Sequence, residues 1–489
     1  MILQWNHLPR KSSAASAQDI VASLQSLLEE GCLEQEQFAS LCVHLDWIQY
    51  KHNFREAVIV VPCAEEKAGG PPFFEVHVDL RQAGPGALRT AMMQALEAAN
   101  SEIGHPPHPT PKLDCLALED FQPFRTSIAW RFNRLYWQRL AEWEESTGRG
   151  YEEALPGGKS DANHPGAVAD GVADFWTLVR DLEAKQKLPA ELYVLEIGVG
   201  MGKRAGLWLD RFQKLDQERG TNYYPRVRFL LGDYSPATLE RSKAAVRGHM
   251  EQCSFVVLDA LNPLQTLSFL RHKVQHIHLT NVYDNLPDEE MARRDGRLYL
   301  VEVRAYLPTG EAERIAKEFE LSARELPRCI ERLLEVGPEH FADRARGMGF
   351  WQQVWAAMRL EERLVCADDI RPEELPEGLE LNRLEAMLSE APSDVRFHVN
   401  SGALESFRNT LPLLSTRGYL QVQDIFVTRW NEYQLGFHGP GKLDGSIVNW
   451  VNGALLRETA ERAGYDVHFA PFRYREGSHT SMLYTTQRE

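Results

Sequence analysis

The sequence predicts an α/β protein built on a Rossmann-like, seven-stranded, mostly parallel sheet. Two observations carry this expectation. Val194-Leu-Glu-Ile-Gly-Val-Gly-Met-Gly202 reads as a short buried strand that enters a glycine-rich turn and then a helix. From Leu192 onward, short apolar runs alternate with helical patterns, which implies parallel strands joined by right-handed crossovers.

The first 125 residues read as a separate small α/β module. Ile20 to Leu28 has helical spacing, Glu56 to Cys63 and Phe73 to Leu80 read as strands, and Ala87 to Ala99 reads as a helix. Pro106, Pro107, Pro109 and Pro111 mark a linker. The module carries no catalytic signature, and its expected role is packing or partner binding. Residues 126–489 form the second domain. It opens with an aromatic helix, Ile128 to Trp137, and a polar loop from Gly157 to Gly171.

The sheet then builds in order. Leu192–Ile197 is the first strand, and Ala205, Trp208, Leu209, Phe212 and Leu215 give the next helix one apolar face. Val227–Gly232 is the second strand. Ser235 and Pro236 are the N-cap and first position of the helix to Val246. Ser254–Leu258 and His276–Thr280 are the third and fourth strands. Residues 288–395 are charged and read as a largely helical insertion after the fourth strand: a lid, a substrate platform or a homodimer surface. The sheet resumes at Gly418–Val427 after a helix from Ala403 to Leu414. A helix from Ile447 to Ala463 leads to two closing strands, Val467–Phe472 and Met482–Thr486.

Composition narrows the function classes. A net charge of −16 argues against a nucleic-acid duplex as partner. The seven cysteines form no C-x-x-C pair, so neither a zinc ribbon nor a disulfide framework is expected. No metal triad with ligand spacing is apparent, and no metal is expected. The N-terminus lacks an apolar h-region and no run is long enough for a membrane helix, so a cytoplasmic protein without membrane attachment is expected.

The candidate ligand residues sit at strand ends. Glu196, Gly198, Gly200 and Gly202 form the turn, where backbone N–H groups and a helix N-terminus approach a ligand. Asp233, followed by Tyr234 and Ser235, ends the second strand, where a carboxylate can accept both ribose hydroxyls. It lies further beyond Gly202 than the roughly 20 residues of a dinucleotide fold. Asp259 ends the third strand and can accept from an adenine amine, while the Ala260 N–H reaches a ring nitrogen. Three acids at successive strand ends point to a nucleoside-bearing cofactor, S-adenosylmethionine first.

With these residues in place, the chain resembles a class I S-adenosylmethionine-dependent methyltransferase. Asp233-Tyr-Ser-Pro236 and His278-Leu-Thr-Asn-Val-Tyr-Asp-Asn-Leu-Pro287 resemble the MidA-like family over roughly residues 126–489. Asp284, Leu286 and Pro287 match that family's Asp-x-Leu-Pro. Thr280 and Asn281 stand where the family has Asn-Glu, and the resemblance implies that they help bind the cofactor; Leu443 to Trp450 matches a later family element loosely. The resemblance implies methyl transfer to a protein side chain, arginine included, or to a small molecule.

Asp284 is the expected base, or the acid that holds an amine or guanidinium, with Tyr283 orienting it; capping of a helix near Pro287 is the competing role. His438 stands on a loop expected near the substrate. Asn285-Leu-Pro-Asp288 does not fit base N-methylation of nucleic acid. Two alternatives stand beside the enzyme: a non-catalytic cofactor-binding assembly factor, and a nucleotide-dependent oxidoreductase, which leaves Asp259 unexplained.

Overall fold

The computed structural model describes residues 1–5, 16–46, 48, 52–63, 73–101, 115–155, 157–294, 296–370 and 379–488. The proline-punctuated stretch 106–111 lies outside them. The chain divides into two compact units. One comprises 1–131, 289–397 and 430–442; the other comprises 132–288, 398–429 and 443–489. The expected boundary at residue 125 is therefore corrected, because the N-terminal residues share a unit with the insertion.

The second unit holds a seven-stranded sheet. Its strands are β1 (Leu192–Ile197), β2 (Val227–Asp233), β3 (Cys253–Val257), β4 (Val274–Thr280), β5 (Leu414–Asp424), β6 (Tyr465–Pro471) and β7 (Ser481–Gln487). Their spatial order is β3-β2-β1-β4-β5-β7-β6. The five from β3 to β5 pair in parallel, while β7 runs antiparallel to both β5 and β6. The order reverses between β1 and β4, and in open α/β sheets ligands bind beyond the carboxyl ends at such a switch point.

Helices α1 (Pro165–Ala184) and α2 (Lys203–Arg219) pack on this sheet through one aromatic cluster. Trp208 and Phe212 stack at 5.0 Å between centroids, and Phe175 meets Trp208 edge-on at 5.2 Å. All three are fully buried. Such rings contribute both apolar area and packing geometry, which fixes α2, and with it the glycine turn, against β1.

Three expectations are corrected in this unit. Much of the Gly157–Gly171 loop is ordered, since Asp161–Asn163 is a 3-10 turn and α1 starts at Pro165. Helix α3 (Pro236–Ser242) is shorter than expected. After helix α4 (Ser401–Thr410), the expected helix from Ile447 begins only at α5 (Gly453–Arg462), because Ser446–Val448 and Val451–Asn452 are extended.

Two larger sheets lie in the described residues of the first unit. Strands Ile2–Trp5, Cys42–Asp46, Phe73–Asp79 and Val58–Cys63 lie side by side in that order. Helices Ala17–Glu29 and Pro85–Ser101 bury Ile20, Leu24, Leu27, Leu88 and Met92 against Val43, Leu45, Val76 and Val78. In the second sheet, Arg359–Cys366, Arg297–Pro308, Glu290–Arg294 and Val395–His398 are neighbours, and Cys115–Ala117 and Gln122–Pro123 pair with the long strand 297–308. The insertion is thus mixed α/β rather than largely helical. Its strands hide behind charge: Glu302 faces Arg363 and Arg304 faces Glu361, each pair ion-paired at 2.5 Å. Among the described residues no helix is long and apolar enough to cross a membrane.

Candidate cofactor and acceptor site

The glycine turn is held to β2 by its backbone. The N–H groups of Gly198 and Val199 both donate to the Gly232 carbonyl, at 2.8 and 3.1 Å. Gly202 has φ +71°, and a Cβ there would lie 2.9 Å from the Ser242 carbonyl oxygen, so the close approach of α2 to α3 requires glycine. Gly200 differs. It has φ +52°, and a Cβ would meet nothing within 4 Å, so open space lies against the turn at this point.

Asp233, at the end of β2, ties the turn to the next helix. Its Oδ2 accepts from the Gly200 N–H at 3.1 Å and its Oδ1 from the Ser235 N–H at 3.0 Å. A carboxylate offers about four acceptor positions, so lone pairs remain for a diol. Burial pushes its pKa up to about 6, against the opposing pull of these N–H donors. Tyr234 is half-buried, and its hydroxyl accepts from Gln138 Nε2 at 3.0 Å. Asp259 and Ala260 follow β3 and are half-buried, and Asp259 Oδ1 accepts from the Leu261 N–H at 2.9 Å.

Several expected ligand groups are already engaged. Glu196 is buried and pairs with Arg204 of α2 at 2.8 Å, with burial raising its pKa. It anchors α2 beneath the turn. The Ser235 hydroxyl is buried and accepts from the Thr238 N–H at 3.3 Å, so its side chain caps α3 rather than facing a ligand. Thr280 Oγ1 shares a hydrogen bond of 2.7 Å with His278 Nε2. Asn281 takes φ +50° and donates its N–H to the Gln423 carbonyl at 3.0 Å, which turns the chain sharply out of β4.

The expected catalytic pair looks different in space. Tyr283 is fully buried, and its hydroxyl makes no hydrogen bond to Asp284. No helix starts at Pro287; Tyr283–Asn285 is a single 3-10 turn, and the capping role for Asp284 is corrected. Asp284 is 6% exposed, and its Oδ1 accepts from Asn285 Nδ2 at 2.7 Å. Beside it lies an acid that sequence reasoning missed. Asp424, the last residue of β5, is fully buried and accepts the N–H groups of Tyr283 (3.0 Å) and Asp284 (3.3 Å) on Oδ2, and that of Ile425 (2.8 Å) on Oδ1. Burial pushes Asp424 up to about 7; burial and then the Asp424 charge push Asp284 well above the carboxylate range. The signal available was positional, since Asp424 is a fourth acid at a strand end, without a glycine turn to mark it.

Around this pair the buried polar groups continue. Asn449 donates its N–H to the Asp284 carbonyl at 2.9 Å, and Asn133 Nδ2 donates to the Asn285 carbonyl at 2.9 Å. Asp288 bonds His398 Nδ1 and accepts the Asn400 N–H at 2.6 Å. Both amide atoms of the Asn449 side chain are buried without a hydrogen-bond partner. His438 belongs to the other unit; it is buried against the Tyr433 ring and is not a solvent-facing loop residue.

No protein-family model matches the chain, and no curated protein matches it. Among solved structures, a COG1565 superfamily member from Burkholderia thailandensis bound to S-adenosyl-homocysteine aligns with 12% identity, covering 75% of this chain and 88% of that one at a TM-score of 0.45. A native structure of a COG1565 superfamily protein from the same organism aligns with 13% identity over 78% and 95% of the two chains, at 0.38. An O-methyltransferase family protein from that organism aligns with 8% identity over 72% and 64%, at 0.29. At these values the functional assignment rests on the site itself.

Proposed function

We propose that this chain binds S-adenosylmethionine at the carboxyl edge of the seven-stranded sheet and directs methyl transfer to a protein side chain or a small molecule. The observation that carries this reading is the conjunction at Gly200 and Asp233: open space against the turn, bounded by a carboxylate with acceptor positions to spare for a ribose diol. Asp259 and the Ala260 N–H, at the end of the neighbouring strand, supply an acceptor and a donor suited to an adenine edge. When bound, the cofactor supplies an electrophilic methyl carbon on a sulfonium.

The chain's own contribution is to hold, align and exclude water. The Glu196–Arg204 pair and the Trp208 cluster fix α2 and the turn. Asp284 and Asp424 are a buried carboxyl pair whose raised pKa values suit a group that takes up a proton near neutral pH, or that holds an amine or guanidinium. Calorimetric titration with S-adenosylmethionine, S-adenosylhomocysteine and NAD tests the assignment. Micromolar binding of the sulfonium pair without NAD is expected; absence of that binding in folded protein overturns it.

One observation favours the non-catalytic alternative. Asp284 is nearly sealed and already bonded to Asn285, so it offers an acceptor little exposed surface. Turnover separates the two readings: an enzyme incubated with lysate and cofactor yields the demethylated product, whereas a binder returns the cofactor unchanged.

A further inference from the structure

The N-terminal sheet carries a feature that methyl transfer does not use. Strands Cys42–Asp46 and Phe73–Asp79 run parallel, in a register that sets Cys42 opposite Glu75, His44 opposite His77, and Asp46 opposite Asp79. With the two-residue period of a strand, these six polar residues share one face, while Val43, Leu45, Phe74, Val76 and Val78 fill the core on the other. The polar face is nonetheless buried: His44, Glu75 and His77 are 6%, 3% and 7% exposed.

Three donors converge there. Glu75 Oε1 lies 3.1 Å from His44 Nε2 and 2.8 Å from His77 Nε2, and one donor atom from each of the three residues falls within a 4.8 Å cluster. The imidazoles stack in near-parallel planes, 4.5 Å between centroids and 10° apart. Arg294 Nη2 also lies 2.8 Å from Glu75 Oε1. His77 Nε2 and Arg294 Nη2 fill the two lone pairs of that oxygen, and Cys42 Sγ lies 3.4 Å from His44 Nε2. A cation that accepts electron pairs from both Nε2 atoms would take the place of the His77–Glu75 hydrogen bond.

The outer contacts agree. Asp46 Oδ2 lies 3.5 Å from His77 Nδ1, on the ring nitrogen away from Glu75; that nitrogen is buried without a hydrogen bond, and a carboxylate drawn onto it would fix the tautomer of a metal-bound histidine. Arg294 Nε lies 3.3 Å from Glu75 Oε2, steadying the carboxylate. We propose that His44, Glu75 and His77 form a zinc site. Two imidazoles and one carboxylate are a known zinc donor set, with bonds of about 2.0–2.2 Å and hence donor separations of roughly 3.3–3.5 Å in a tetrahedron. The two carboxylate–imidazole separations, 3.1 and 2.8 Å, must lengthen by about 0.2–0.7 Å, and the stacked rings must turn so that both lone pairs meet one ion. Three protein donors leave the fourth position to water.

Sequence reading expected no metal, because His44 and the Glu75-Val-His77 pair lie on strands far apart in the chain, and only the parallel register joins them.

The test uses the full-length protein, stripped with chelator and titrated with Zn2+ against a chromophoric competitor, with bound metal counted by elemental analysis. One zinc per chain is expected. His44→Gln and His77→Gln, each shown to be folded by circular dichroism, should weaken binding at least 100-fold, and Asp46→Asn about tenfold. Folded wild type that retains no zinc, or histidine variants that bind as the wild type does, overturns the proposal. If the variants do not fold, wild type loaded with Co2+ decides: the intense visible absorption of a four-coordinate ion supports the site, and the weak spectrum of the hexaaqua ion refutes it.

Discussion

Asp284→Asn gives the sharpest check on the buried carboxyl pair. Asp424 is fully buried, and burial pushes its pKa up to about 7 from the usual 3.8. Each tenfold change in a proton equilibrium is about 1.4 kcal/mol, so ionising Asp424 inside the fold costs about 4 kcal/mol relative to the unfolded chain. Asp284 is raised in the same direction, by burial and then by the Asp424 charge. The folded state therefore holds these protons more tightly than the unfolded state does. Stability is drawn down as pH rises from about 4, where the unfolded carboxyls ionise, through the folded pKa values. Asparagine at 284 keeps the bond from Asn285 Nδ2 and removes one of the two ionisations. The stability difference between Asp284→Asn and wild type should grow in the variant's favour as pH rises from 5 to 7, by at most about 1.4 kcal/mol per pH unit, the limit for one proton. Urea unfolding at pH 5, 6 and 7 measures it. Asp233, raised to about 6, has the same sign in both proteins and largely cancels. A difference that does not change with pH would show Asp284 already ionised in the fold and refute the reasoning.

Two further substitutions probe the turn. Asp233→Ala removes the acceptor for Gly200 and Ser235 along with the proposed ribose contacts, and should weaken S-adenosylhomocysteine binding more than tenfold; unchanged affinity in folded variant removes the ribose assignment. Gly200→Ala and Gly202→Ala should separate binding from stability. At Gly202 the new methyl meets backbone 2.9 Å away and the melting temperature falls; at Gly200 it meets only open space, costing about 1–2 kcal/mol for the left-handed conformation while blocking the cofactor. Unchanged cofactor affinity in folded Gly200→Ala would contradict the assignment of that space.

The parts of this molecule that were legible from the chain are those with local signals. Leu192–Ile197 is bounded as its apolar run implies, because a buried parallel strand has no polar face to confuse it. Asp233 and Asp259 stand out because each directly follows an apolar run. Asp424 does not, since Gln421 and Gln423 precede it and its importance lies in N–H groups delivered from residues 283 and 284. The strands of the insertion were misread for a related reason. Arg297–Pro308 and Arg359–Cys366 neutralise their charges across the ladder, and that pairing has no signature within either segment. The role of Ser235 was legible from its Ser-Pro N-cap pattern, yet the same residue was also assigned to the cofactor. A buried cap spends its hydroxyl on the helix.

The discontinuous first unit has a consequence for synthesis. Glu75 is buried and its guanidinium partner, Arg294, comes 219 residues later. Arg55 likewise lies 3.4 Å from Glu362, which is in turn bonded by Arg396. At the roughly 5–20 residues per second of a ribosome, the N-terminal sheet waits about 10–40 s for the charges that neutralise its polar face. During that interval its apolar core can close while its other face must stay hydrated. The nascent chain therefore carries a half-finished sheet past the whole glycine turn before the unit can be sealed.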